Sequence, residues 1–212
     1  MKKIVKLSLI AILLAVVAIA ITGCGAEEKD RTYNTLGKTL LGDTYILEIE
    51  GDALGGNGKS GTLTVAKKGD KILQEVKSED GKVTIIFKDN ATHIVIPDEK
   101  MYMKTDGKDE SILSDDEAFL SKEELEALKT EEYKTGKEKI DDKEYYYEEY
   151  YALGDEITER YYFDGNELKY VKSIDSNGKE QIIKVVKLSS KVDDSVFDIP
   201  TDYELSLIHI WR

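Results

Sequence analysis

Turn signals at nearly even spacing constrain this chain more than any other feature. From Asp43 the residues alternate in hydrophobicity: Tyr45, Leu47 and Ile49 share one face, while Thr44, Glu48 and Glu50 fall mostly on the other. That period of two describes a half-buried antiparallel strand. Similar stretches recur near 61–67, 71–78, 82–88, 91–96 and 100–104, and again near 132–140, 143–152, 156–163, 167–174 and 180–188. Between them stand Lys68-Gly69-Asp70, Asp80-Gly81, Asp89-Asn90, Pro97-Asp98, Asp141-Asp142, Leu153-Gly154-Asp155, Asp164-Gly165-Asn166 and Asn177-Gly178. Asp-Gly and Asn-Gly accept the positive φ of tight hairpins, so the pattern predicts a meandering antiparallel sheet of about ten strands. The fold class expected is mainly β (α+β), with a short helical insert.

The insert lies between the two series of strands. Ser114 through Glu117 and Ser121 through Glu124 both read as capping boxes. They predict a short helix near 115–120 and a longer one near 122–131, with Ala118, Phe119, Leu120, Leu125 and Leu128 covering part of the sheet. Tyr33–Leu41 is open between a helical turn and the lead into a strand.

The two ends read differently. Lys2, Lys3 and Lys6 make the start of the chain basic, and an apolar run from Ile4 to Thr22 is followed by acidic and basic residues. This is the make-up of a secretory signal. Ile21-Thr22-Gly23 directly before Cys24, the one cysteine, is similar to a bacterial lipoprotein signal. That resemblance implies a leader over 1–23 and a covalent diacylglycerol on Cys24. It also implies a lipidated tether over 24–42 and a domain over 43–203, held on the extracytoplasmic face of the cell membrane. Two acyl chains suit stable attachment better than one. An uncleaved membrane-spanning helix is the alternative, because the apolar run is about long enough to cross. At the other end, 205–212, which includes His209 and Trp211, resembles a translated sequencing adapter and is set aside as an artefact.

Loss of the three leader lysines takes the net charge from −13 to −16. Such a chain is a poor partner for nucleic acid. With Cys24 acylated no thiol remains, which excludes disulfides and cysteine metal sites. High Lys, Glu, Ile and Tyr with only two prolines suggest a low-GC Gram-positive source.

Catalytic and metal-binding patterns find little support. His93 lies between Thr92 and Ile94 in a strand with no partner readable nearby, and no nucleophile elbow or His-Glu-x-x-His spacing occurs. Asp175-Ser176-Asn177-Gly178 begins like a calcium loop, but the twelfth position is Val186 rather than an acid. Ala53 through Ser60 matches a loose phosphate loop, yet Thr62-Leu63-Thr64-Val65 follows as strand where a helix is required. No enzyme, metal or further cofactor is expected.

Seven of the 13 tyrosines fall between Tyr145 and Tyr162. A ring with an apolar body and a polar tip suits a sheet face turned toward a cavity or a partner. Ordinary cross-strand packing is the alternative.

The order of elements is strands, helical insert, strands. With it go Tyr161-Tyr162-Phe163-Asp164-Gly165-Asn166 in a late hairpin and Val196-Phe197-Asp198-Ile199-Pro200-Thr201-Asp202-Tyr203 after the last strand. Together these resemble the LolA/LolB and LppX-type lipoproteins. The resemblance implies a strongly curved antiparallel half-barrel closed by helices, with a lipid-like ligand in its concave face. This chain departs from it in having little helix before the first strand. Tyr45, Leu47, Ile49, Tyr145, Tyr147 and Tyr161, with the apolar faces of the early strands, are the expected lining. A surface lipoprotein without a ligand, serving contact with an envelope protein or envelope structure, is the alternative.

Overall fold

A computed structural model describes residues 29–52, 54–56, 58–108, 120–152 and 157–205. Ile21, Thr22, Gly23, Cys24, residues 115–119 of the expected helix near 115–120 and residues 206–212 lie outside these.

Eleven antiparallel strands follow the turn signals closely: β1 Thr44–Gly51, β2 Gly61–Lys68, β3 Lys71–Ser78, β4 Gly81–Lys88, β5 Ala91–Ile96, β6 Met101–Asp106, β7 Lys134–Ile140, β8 Lys143–Ala152, β9 Ile157–Asp164, β10 Glu167–Ile174 and β11 Glu180–Ser189. They form one curved, unclosed sheet in the order β6-β5-β4-β3-β2-β1-β11-β10-β9-β8-β7. The half-barrel expectation is met. The turns work as their residues dictate. Asp89, Asn90, Asp141 and Asp142, the central residues of two turns, all take positive φ, which is what twisted two-residue hairpins need; Gly81 takes positive φ as the first residue of β4. Strand β2 starts directly after Ser60, so the Gly-Lys-Ser stretch sits in a hairpin loop.

One pairing is not local. β1 lies between β2 and β11, so the first and last long strands join the two series of hairpins through Ile49 opposite Val185 and Glu50 opposite Lys184. A bulge between Glu48 and Ile49 adjusts the register there. Glu204–Leu205 adds a two-residue strand, β12, parallel to β6 at Met101 and Tyr102. At the other edge β7 carries exposed Lys134, Lys137 and Lys139, which discourage edge-to-edge pairing. Gly136 of β7 is required by a close approach: a Cβ there would stand 2.5 Å from Cζ of Tyr147, whose ring lies across the strand.

The tether boundary expected at residue 43 is corrected. A π-helical stretch, Tyr33–Gly37, runs into one α-helical turn, Lys38–Leu40, and the two form α1. Leu36 and Thr32 are fully buried, so the packed domain begins near Asp30 and not after α1. The reason is a long-range contact that local patterning does not show. Glu148 in the middle of β8 has no exposed surface, and its carboxylate accepts from Arg31 N at 2.9 Å, Thr32 N at 2.8 Å and Thr32 Oγ1 at 2.7 Å. It thus satisfies the free N–H groups that begin a helix, a task usually left to a local capping residue.

The second helix, α2 (Lys122–Ala127), starts at the expected capping box: Glu124 N donates to Ser121 Oγ, and Ser121 N donates to Glu124 Oε2 at 2.6 Å. Leu36 of α1, Leu125 of α2 and Leu128 directly after it pack over Leu47, Ile49, Tyr150, Tyr161, Phe163, Leu168, Val171 and Val185. The face of the sheet they cover is called the inner face. A second cluster lies on the outer face of the other half, where Ile46, Ala66, Leu73, Ile86 and Val95 surround Phe197. Phe197 comes from the segment after β11, in a 3-10 turn, Asp194–Phe197. Lys68 and Lys71 share the carboxylate of Asp194 at 2.6 and 2.9 Å, and Lys88 Nζ donates to Phe197 O at 2.8 Å.

His93 belongs to this outer cluster through its place opposite Ile86. It is buried, its Nδ1 meets no partner, and burial first, then Lys104 and Lys88, hold its pKa below the ordinary value, with Asp89 opposing. The unfolded chain therefore takes up a proton near pH 6.5 that the folded chain refuses, and stability is lost as the pH falls below that value. Urea midpoints between pH 7.5 and 5.5 are expected to fall more steeply for the natural chain than for His93→Gln. Parallel slopes would contradict it. Glu159 has the opposite sign: burial raises its carboxyl, so its contribution is lost as the pH rises.

Candidate ligand-binding face

Parity along each strand decides which side chains meet. On the inner face, β2 to β6 align in rows: Lys67, Ile72, Phe87, Thr92 and Thr105, then Val65, Gln74, Ile85, Ile94 and Met103. Leu63, Val76 and Val83 form a third row on β2 to β4, and Ile96 pairs with Met101. Val76 and Val83 are 41% and 42% exposed. Ile72, Ile85, Phe87, Ile94, Met101 and Met103 are half-buried. The cluster under α1 and α2 includes Leu63 from β2 and, among the described residues, nothing from β3 to β6. One half of the inner face is therefore filled by helices, while the other half presents an apolar surface. A contiguous apolar surface of this kind marks an interaction site more often than scattered single residues do.

This second half has charge at one end. Where β2, β3, β4 and β5 turn, a cavity of about 910 Å³ is lined by Lys67, Lys68, Lys71, Lys88 and Lys108, by Asp43, Asp70 and Asp89, and by Ile72 and Phe87. Paired with Lys68 and Lys71, Asp194 has its carboxyl pKa held down at about 2.

The expected lining residues are divided by the sheet. Leu47, Ile49 and Tyr161 do face inward, but each is only 1% exposed within the filled helical half. Tyr45, half-buried, stands beside Lys67 in the register between β1 and β2. Tyr145 and Tyr147 point outward. Tyr145 packs edge-on against Tyr170 at 5.3 Å, and Tyr147 meets Tyr162 at 5.5 Å with Arg160 5.0 Å over its ring. They belong to an ionic layer centred on Glu138, which accepts from Arg160 Nη1 at 2.9 Å, Tyr162 Oη at 2.7 Å and Lys172 Nζ at 2.5 Å. Burial alone would raise the Glu138 carboxyl, but these three donors outweigh it and hold its pKa low. Burial and Glu138 together push the Tyr162 hydroxyl up to about 12. Tyr145, Tyr147 and Tyr162 are thus cross-strand packing on a charged outer face, while Tyr150 and Tyr161 belong to the filled inner core. Among the described residues no three His, Cys, Asp or Glu side chains converge on a metal position.

The residues that do form the open face carried a signal in the sequence. Val83-Thr84-Ile85-Ile86-Phe87 and Ile94-Val95-Ile96 are nearly continuous apolar runs, which mark strands apolar on both faces. Phe197 and its neighbours cover one of those faces; the other is the candidate site.

No protein-family model matches the chain, and no curated protein matches it. Solved structures with a similar course of chain include an uncharacterized conserved protein from Thermus thermophilus, at 9% identity and a TM-score of 0.44 over 84% of this chain and 94% of that one. MucB is similar at 11% identity and a TM-score of 0.47, over 85% of this chain and 65% of MucB. A LolA superfamily protein from Nitrosomonas europaea is similar at 12% identity and a TM-score of 0.28, over 74% of this chain and 90% of that one. Likenesses this distant carry no information about ligand or partner.

Proposed function

We propose that this chain is a membrane-anchored extracytoplasmic lipoprotein that binds an amphiphilic, lipid-like ligand on the inner face of β2 to β6, and that it acts as a binder, not a catalyst. The anchor is a diacylglycerol on Cys24, after Ile21-Thr22-Gly23. The observation that supports the binding reading is the apolar half of the inner face that, among the described residues, no helix covers. A protein of this net charge keeps Val76, Val83 and half-buried Ile85, Phe87 and Met103 together on one surface. An acyl chain laid along these rows removes them from water at about 25 cal/mol per Å².

Mass spectrometry of the full chain extracted from its membrane reads both parts of the proposal: the mass added at Cys24 and any lipid released without covalent cleavage. Ile85→Asp is expected to weaken binding of a fluorescent fatty acid by at least ~10-fold, because a carboxylate placed in an apolar seat must be desolvated when the chain binds. Unchanged binding in Ile85→Asp, or an extract with no lipid and no affinity for the probe, would overturn the binding reading. In the second case, capture of an envelope protein through the same face would take its place.

A further inference from the structure

We propose that the lysine-lined cavity at the turn end of β2 to β5 is a subsite for the anionic headgroup of the amphiphile whose chain lies on the inner face. The inference rests on the function proposed above and adds the polarity and direction of the bound molecule. Three observations carry it.

The first is continuity. Ile72 and Phe87 line the cavity and also form the first apolar pair of the inner-face rows, so a molecule with its head in the cavity has its chain directed along Ile85, Ile94 and Met103. The second is charge. Five lysines and three aspartates line the cavity; Lys68, Lys71 and Lys88 are turned to the outer side, where Asp194 and Phe197 O hold them, which leaves Lys67 as the cation that faces the inner-face rows. Lys68 and Lys71 share the single carboxylate of Asp194, and no described carboxylate pairs with Lys67. The third is position: Lys67 is the lysine of the set that stands in the inner-face row itself, opposite Ile72. A cavity of about 910 Å³ is ample for a phosphate or carboxylate headgroup with its water. The occupant is therefore an acyl-bearing anion such as an anionic phospholipid, not a neutral or zwitterionic one.

The test uses the full chain in phosphatidylcholine nanodiscs, titrated calorimetrically with dihexanoylphosphatidic acid, dihexanoylphosphatidylcholine and inorganic phosphate, with empty nanodiscs subtracted. The anionic lipid is expected to bind ~10-fold tighter than the zwitterionic one, and Lys67→Glu to remove that preference while Lys67→Arg keeps it. Raising the salt from about 50 to 500 mM should weaken the anionic lipid and leave the zwitterionic one unmoved, a readout that needs no variant. Equal affinity for the two lipids, or a preference indifferent to both salt and Lys67→Glu, overturns the headgroup subsite and leaves the apolar seat standing. Inorganic phosphate binding as tightly as the anionic lipid overturns it in favour of a free-anion site. Binding of none of the three sinks the proposed function along with it.

Discussion

Glu148→Ala is expected to cost about 3 kcal/mol and to lower the melting temperature by roughly 6–12 °C. The Glu148 carboxylate is fully buried and accepts three hydrogen bonds from the start of α1, with Tyr150 Oη at 3.3 Å as a fourth contact. Hydrogen bonds to a charged group are each worth more than neutral ones, and removal also takes from Thr32 N the carboxylate it donates to. Both losses run in the same direction. Glu148→Gln retains one accepting oxygen but points an amide N–H₂ at other donors, so it should fall between the natural chain and the alanine variant. Because α1 roofs the filled half of the inner face, hydrogen exchange at 33–41 should accelerate before exchange in the sheet does. Melting and exchange together check this. A Glu148→Ala chain with unchanged melting would show that solvent replaces the carboxylate at no cost, and the cap would then be incidental.

Phe197→Ala is expected to cost about 3–5 kcal/mol, the usual range for a fully buried phenylalanine. Phe197 is 1% exposed and fills the outer cluster between Ile46, Ala66, Leu73, Ile86 and Val95. Around it the attachment is exposed: Lys68, Lys71 and Asp194 pair at the surface, and surface pairs contribute little. The ring, and not the ion pairs, therefore holds residues 192–203 against the sheet. Phe197→Ala should open this segment to proteolysis, whereas Asp194→Asn should leave it protected and shift stability by no more than about 1 kcal/mol. Chemical denaturation and limited proteolysis measure both. If the two variants behaved alike, the segment would be held by charge.

The strands, their turns and the capping box of α2 were legible in the sequence because each rests on neighbours. A period of two, an Asp-Gly pair and a serine three residues before a glutamate act over a few bonds, and the chain alone contains them. The meandering antiparallel sheet followed from their order, and the half-barrel was implied by the resemblance to the LolA/LolB and LppX-type lipoproteins. The candidate site was legible only in part. The apolar runs of β4 and β5 announce strands that are apolar on both sides, but not which side another element will cover.

Tertiary structure decided what depends on contacts across the chain. Tyr145 and Tyr161 share a cluster in the sequence, yet a one-residue difference in parity sends one to a charged outer face and the other to the core. Glu148 reads as one acid among 43 until Thr32, 116 residues away, is folded onto it. Phe197 reads as one apolar residue after the last long strand until it closes the outer face of β2 to β5, whose inner face no helix covers among the described residues. Periodicity fixes the faces of a strand, whereas burial belongs to whatever the rest of the chain brings over them.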